Sequence, residues 1–175
     1  PGTVGTPDLL TSSDSGSNTT DNITNVALPT ISGSGAVANG LVQILVGGVT
    51  AGSVTASVVG AWTFTFTATL SAGTHVITAA TQDIAGNQGP ASAALTVTVD
   101  TAAATLAAPD LDAASDTGTS STDNITSTFN PKIQGDGADA GATVHVIDDG
   151  VTVGSVTATG TGTWSFTFTT SLSEG

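Results

Sequence analysis

The chain repeats itself once over most of its length. Residues 7–73 align with residues 109–175 without a gap, at a constant offset of 102 residues, and about half of the aligned pairs are identical. Repeats of about 20–45 residues stack into solenoids, whereas a unit of about 100 residues has the size of a β-sandwich domain. The repeat therefore predicts two tandem copies of one domain type.

The composition favours strands and turns over helices. Thr, Ser, Gly, Ala and Val dominate, and the chain has no Cys and no Met. Of the 14 acidic residues only Glu174 is a glutamate. Asp is common in turns and in ligand loops, whereas Glu favours helices. We therefore predict an all-β fold that does without disulfides or thiol chemistry.

The hydrophobic pattern has the period of half-buried strands. Segment 62–67 alternates one Trp and two Phe residues with Thr, and segment 164–169 repeats the pattern. Alternation of this kind places the aromatic residues on one face of a strand. Gly-Gly at 47–48 and Asp-Gly at 149–150 favour tight hairpin turns. About seven strands for each full unit predict a tandem array of immunoglobulin-like β-sandwiches.

The domain boundaries follow from the repeat. We predict a linker at 1–6, a first immunoglobulin-like repeat at 7–103, and a second, incomplete repeat at 104–175 that lacks its last two strands. Gly175 corresponds to Gly73, so the second copy has no counterpart of residues 74–101. Two explanations stay open. The sequence is cut at this point, or another subunit supplies the missing strands by strand complementation.

An Asp-rich segment occurs at the start of each copy, at residues 7–24 and 109–126. Its Asp residues are spaced by six and then seven positions, and a Gly between them permits a tight bend. One interpretation is that these Asp residues only cap backbone N–H groups in turns. The other, which we favour, is an oxygen cage for Ca²⁺, which binds six to eight carboxylate, carbonyl and water oxygens. The spacing differs from that of an EF-hand.

Three motifs carry a resemblance to a known family. They are Asp-Leu…Ser-Asp-Thr-Gly…Thr-Asp-Asn-Ile-Thr, Gly-Thr-Trp-Ser-Phe-Thr, and Asp-Ile-Ala-Gly-Asn ahead of Val-Thr-Val-Asp. Together they resemble the bacterial immunoglobulin-like repeats of large secreted adhesins and biofilm-associated proteins. The resemblance covers nearly the whole chain. It implies an extracellular rod or spacer that holds calcium in loops near domain junctions.

The resemblance also supplies candidate calcium ligands. Asp100 matches the family's linker Asp, and its position just before the second acidic segment suggests that it shares an ion with that segment. Leu10 stands where the second copy has Asp112, so we expect the two sites to differ in strength. The full set of predicted ligands is Asp8, Asp14, Asp21, Asn22, Asp83, Asp100, Asp110, Asp112, Asp116, Asp123 and Asn124.

Charge and motif content exclude several functions. The net charge is −13 and Lys132 is the one cation, so we expect no nucleic-acid partner. No run of 18 apolar residues is present, so we expect no membrane span in this segment. No signal peptide is visible, and we expect the chain to belong to a longer, secreted protein. No catalytic constellation stands out, so we expect no enzyme.

The favoured function is a calcium-stiffened spacer of a bacterial surface adhesin, with neighbouring repeats of the same chain as its partners. One alternative is the repeat unit of a self-assembling extracellular filament, which the incomplete second copy favours. The other is a carbohydrate-binding accessory module, for which an exposed aromatic face is required. We expect Trp62 and Trp164 to lie in the core instead.

Overall fold

The computed structural model describes residues 2–16, 18–83 and 85–172. The chain forms two compact units, unit 1 at Pro1–Ala102 and unit 2 at Ala103–Gly175. The described residues contain strands and turns but no helix. None of them therefore forms a helix long and apolar enough to cross a membrane.

Unit 1 has eight strands within the described residues. They are β1 (Asp8–Leu9), β2 (Ile23–Thr24), β3 (Thr30–Gly33), β4 (Leu41–Val46), β5 (Val49–Thr55), β6 (Trp62–Thr65), β7 (Gly73–Gln82) and β8 (Leu95–Val99). The order in the smaller sheet is β1-β3-β6, and the order in the larger sheet is β2-β8-β7-β4-β5. Every pairing is antiparallel except that of β2 with β8, which is parallel.

The two sheets of unit 1 enclose one apolar core. The smaller sheet contributes Ile31 and Trp62, and the larger sheet contributes Ile44, Ile77 and Val97. In β6 the buried and exposed residues alternate strictly, as the sequence pattern predicts. The all-β, immunoglobulin-like prediction is confirmed.

The predicted hairpin between β4 and β5 forms at the Gly-Gly dipeptide. Both Gly47 and Gly48 have positive φ, 57° and 82°. Two consecutive residues with positive φ match the right-handed twist of the strands that they join, and Gly adopts this conformation at no steric cost. Asp149 and Gly150 repeat the turn in unit 2, with φ values of 46° and 82°.

Residues 2–6, for which we predicted a linker, contact unit 1. The Gly5 N–H donates to the Ser34 carbonyl at 2.9 Å, and Val4 lies in the core with 3% of its surface exposed. The Gly2 carbonyl accepts a hydrogen bond from the Thr81 hydroxyl at 2.9 Å. This stretch therefore contributes to the packing of unit 1.

Unit 2 repeats the first part of unit 1. Its strands in the described residues are β9 (Asp110–Leu111), β10 (Lys132–Gly135), β11 (Thr143–Asp148), β12 (Val151–Thr157) and β13 (Trp164–Thr167). They form a sheet of order β13-β10-β9 and a hairpin of β11 with β12. The described residues of unit 2, which end at residue 172, include no counterparts of β7 and β8. The core of unit 2 is smaller for that reason, with four buried residues at its centre: Val144, Val146, Ala158 and Trp164.

Candidate functional site

The acidic loop of unit 1 joins β1 to β2 and is built around Asp14. This residue is 2% exposed, and its N–H donates to the Leu10 carbonyl at 2.9 Å. One carboxylate oxygen, Oδ2, accepts the Asn22 N–H at 3.2 Å. The other, Oδ1, is buried and has no hydrogen-bond partner among the described residues. A buried carboxylate oxygen without a partner is costly, so this atom marks a place for a proton, a water molecule or a cation.

Asn22 closes the loop opposite Asp14. Its backbone is left-handed, with a φ of 60°, a conformation that Asn tolerates better than most residues. The Asn22 Oδ1 accepts the Leu9 N–H at 3.3 Å, which ties the end of the loop back to β1. The preceding Asp21 caps the Ile23 N–H through its Oδ1 at 3.1 Å. In this structure Asp21 acts as an Asx-turn residue.

The acidic loop of unit 2 has the same design. Asp116 is 6% exposed, its Oδ2 accepts the Asn124 N–H at 3.3 Å, and its Oδ1 is again buried without a partner among the described residues. Asn124 has a φ of 59°, and its Oδ1 accepts the Leu111 N–H at 2.9 Å. Asp123 caps the Ile125 N–H at 3.2 Å. The unpartnered oxygen is therefore a repeated feature of the domain.

Hydroxyl side chains that sequence reasoning missed hold the first loop in place. Ser13 Oγ accepts the Thr30 N–H at 2.9 Å, and Ser15 Oγ accepts the Asn25 N–H at 2.8 Å. Thr24 is 1% exposed, and its hydroxyl donates to the Ser13 carbonyl. A hydroxyl side chain recurs 102 positions later at each place, as Ser115, Thr117 and Thr126. That recurrence is the sequence signal that could have identified them.

Asp112 is held by the chain's one cation. Its Oδ2 lies 3.1 Å from Lys132 Nζ, and its Oδ1 accepts the Ala114 N–H at 3.1 Å. The hydrogen bond from Lys132 lowers the pKa of Asp112, and the bond from Ala114 adds to this effect. Asp112 was predicted as a calcium ligand, but in this structure its carboxylate is engaged by Lys132.

The three other predicted ligands of unit 1 are Asp8, Asp83 and Asp100, and each lies in a different place. Asp8 is exposed on β1, next to the buried Leu9. Asp100 lies beside the first acidic loop, because its N–H donates to the Thr24 carbonyl at 2.8 Å and Thr24 bonds in turn to Ser13. Its own Oδ1 accepts the Ala102 N–H at 3.1 Å. Asp110 of unit 2 is exposed on β9, as Asp8 is on β1.

Asp83 lies far from the first acidic loop. It follows β7, whose first residue, Gly73, pairs with Val99 at the end of β8 next to Asp100. β7 is ten residues long, so its two ends lie about 30 Å apart. Asp83 instead closes its own turn: its Oδ1 accepts the N–H groups of Ala85 and Asn87, and its Oδ2 accepts the Asn87 side-chain amide at 3.0 Å.

Each acidic loop therefore contains one buried carboxylate with an oxygen that could bind a cation. In residues 2–16, 18–83 and 85–172 no group of three or more acidic or His side chains comes together as a metal cluster would. A cation at Asp14 or Asp116 would need carbonyl, amide, hydroxyl or water oxygens for its remaining ligands. Ca²⁺ accepts all of these, and the unpartnered oxygen fits such an ion.

Comparison with known proteins identifies the family. The sequence model of the bacterial Ig-like domain matches residues 2–101 and 103–175. The chain therefore belongs to the bacterial Ig-like domain family, and the resemblance seen in the sequence motifs is confirmed. No curated protein sequence matches the chain.

Among solved structures the chain is similar to a tetra-tandem repeat from the extending region of a large adhesion protein. The two are 18% identical, and the TM-score is 0.38. The match covers 92% of this chain. The chain spans 39% of the length of that structure.

Proposed function

We propose that this chain is a spacer segment of a bacterial surface adhesin, exposed outside the cell. The observation that carries the proposal is the direct succession of two domains of one family, at residues 2–101 and 103–175. Only residue 102 lies between the two matched segments. An array of this kind sets a distance through the number of its domains, because each added copy lengthens the chain by one folded unit.

The Trp and His side chains favour a structural role over carbohydrate binding or catalysis. Trp62 and Trp164 are 4% and 5% exposed, so neither offers the open aromatic face with which a sugar ring stacks. His75 Nε2 lies 2.7 Å from the Ser71 carbonyl, and within the described residues it forms no ion pair with a carboxylate that would orient it as a base. We infer that the segment is neither a carbohydrate-binding module nor an enzyme.

We further propose that Ca²⁺ binds in each acidic loop and stabilises it. Asp14 would be the anchoring ligand in unit 1, and Asp116 would be its counterpart in unit 2. The support is the buried, unpartnered Oδ1 that both residues share. The charge of −13 favours cation binding in general. That Asp100 shares an ion with the second acidic loop stays a prediction.

Calcium titration of the metal-free chain tests the calcium proposal. Isothermal titration should show binding in the unsubstituted chain, and Tm should rise on addition of calcium chloride because an ion that binds only the folded state stabilises it. Asp14→Asn and Asp116→Asn should each remove one binding event. The matched control is Asp148→Asn, which removes one exposed charge from a strand end. An unchanged melting curve with no binding heat would contradict the proposal.

Cell-surface labelling tests the proposed extracellular location. An antibody raised against this segment should label intact bacteria that carry the parent protein, without permeabilisation. Labelling that requires permeabilised cells counts against an extracellular location. The filament alternative, with strands supplied by another subunit, predicts that the purified chain polymerises. Sedimentation as a monomer at all concentrations would exclude that alternative.

A further inference from the structure

The one Lys of the chain lies at the second acidic loop. The Lys132 N–H donates to Ser115 Oγ at 2.9 Å, and Ser115 immediately precedes Asp116. The Lys132 side chain reaches back to Asp112, with Nζ and Oδ2 3.1 Å apart. The two side chains are 42% and 24% exposed. A positive charge is thus paired with Asp112, whose backbone carbonyl accepts the N–H of Asp116 at 2.9 Å. The buried Oδ1 of Asp116 has no partner among the described residues.

Unit 1 has the same backbone arrangement without these charges. Its counterparts of Lys132 and Asp112 are Thr30 and Leu10. The Thr30 N–H donates to Ser13 Oγ at 2.9 Å, as Lys132 does to Ser115, but the Thr30 hydroxyl bonds to Thr65. The two loops therefore share this backbone-to-Ser hydrogen bond, and unit 2 adds one ion pair beside it.

We propose that Lys132 limits the cation affinity of the second acidic loop. This inference rests on the calcium function proposed above. The ammonium engages the Asp112 carboxylate and so offsets a negative charge four positions before Asp116. It also repels a divalent cation that approaches the loop. The sequence predicted that the two sites differ in strength, and the Lys132–Asp112 pair supplies a physical reason for a difference.

The test replaces Lys132 by the residue that unit 1 uses. In the full chain carrying Asp14→Asn, which silences the first loop, calcium chloride is titrated by calorimetry with and without Lys132→Thr. The Thr variant should bind about two- to tenfold more tightly at low salt, because removing the ammonium frees one nearby carboxylate. The difference should shrink in about 1 M NaCl, where charges are screened within about 3 Å.

Two further variants separate charge from structure. Lys132→Arg keeps the positive charge. In the Asp14→Asn background, it should leave the calcium affinity within about twofold of the value for Asp14→Asn alone. Asp112→Leu together with Lys132→Thr recreates the unit 1 pair and should bind more weakly than Lys132→Thr alone, because the freed carboxylate is absent. A double-mutant cycle over these positions gives the coupling directly.

The outcomes separate this inference from the calcium proposal. If Asp14→Asn still binds calcium and Lys132→Thr leaves its affinity unchanged or weaker, Lys132 has no limiting role and the inference is wrong. If the unsubstituted chain binds no calcium, the calcium proposal fails and this inference fails with it. Circular dichroism of each variant checks that it is folded. Lys132→Met keeps an unbranched side chain without the charge. If Lys132→Thr perturbs the strand, the calcium affinity of the Met variant tests the inference instead.

Discussion

At the residue scale, Asp83 shows how one carboxylate can close a turn without any ion. Its two oxygens accept three hydrogen bonds, two from backbone N–H groups and one from the Asn87 amide. The side-chain bond from Asn87 lowers the pKa of Asp83 below its ordinary value of 3.8, and the backbone bonds from Asn87 and Ala85 add to the shift. The charged form is favoured because all three donors point at it.

A pH dependence follows for this turn. Since the folded pKa is depressed, the stabilisation is fully present above the ordinary pKa of 3.8 and is lost as the pH falls through the folded value. Asn87→Ala removes the strongest contributor. We therefore expect it to lower Tm at pH 7 but to have little effect at about pH 2, where the carboxylate is protonated. Thermal melts at the two pH values measure the difference, and an equal loss at both would contradict the argument.

Candidate ligands could be chosen from the sequence, but their roles could not. Repetition at a fixed offset selected Asp14 and Asp116 together with the other Asp residues of the two segments, and the structure shows that these two are buried. The repetition could not distinguish these two residues from Asp21 and Asp123, because Asp residues that only cap a turn are repeated in both copies as well. Burial depends on how the loop folds over the strands, and the pairing of Asp112 depends on a Lys that lies 20 positions later in the chain.

At the element scale, the contact between β3 and β6 depends on a glycine. Gly33 pairs with Trp62 across the two strands, and the indole ring lies over the space that a side chain would fill. A Cβ on Gly33 would lie 2.3 Å from Trp62 Cζ2, and one on Gly135 would lie 2.6 Å from the same atom of Trp164. The repeated Gly–Trp pair therefore sets how closely the aromatic strand packs in both units.

Gly33→Ala should consequently destabilise unit 1. The indole must move to avoid the new methyl group, and overpacking of this kind costs about 1–3 kcal/mol. Gly2→Ala is the matched control, because a Cβ there meets no atom within 4 Å. Urea denaturation followed by tryptophan fluorescence measures the free energy of unfolding of both variants. A Gly33→Ala chain as stable as the Gly2→Ala chain would show that the ring adapts without cost.

The sequence identified the strands in which apolar and polar residues alternate and those that are joined by a glycine-rich turn. β6 and the hairpin of β4 with β5 were expected because a period of two and a Gly-Gly dipeptide are local signals. β2 was not, because its two residues lie inside the acidic segment and pair with Thr98 and Val99 far along the chain. The formation of so short a strand depends on the presence of its partner strand, β8, and no local sequence pattern predicts it. The corresponding residues 125–126 of unit 2, for which the sequence holds no such partner, form no strand.

At the scale of the whole molecule, each unit has a core of its own. The unit 1 core draws on both sheets and includes Ile77 and Val97 from β7 and β8. In unit 2 the residues equivalent to buried Ile31 and Phe66, namely Ile133 and Phe168, are only partly buried. Since burial of apolar surface is the main favourable term in folding, unit 2 as it stands in this chain gains less from folding than unit 1 does.

We therefore expect two unfolding transitions, with unit 2 unfolding at the lower urea concentration. Each unit contains one Trp, so fluorescence can report on each separately. Trp164→Phe leaves Trp62 as the reporter of unit 1, and Trp62→Phe leaves Trp164 as the reporter of unit 2. A far-ultraviolet dichroism curve of the unsubstituted chain, which sees both units, controls for the substitutions. One shared transition for both reporters would show that the units unfold together, and the difference in core burial would then not govern the stability of the chain.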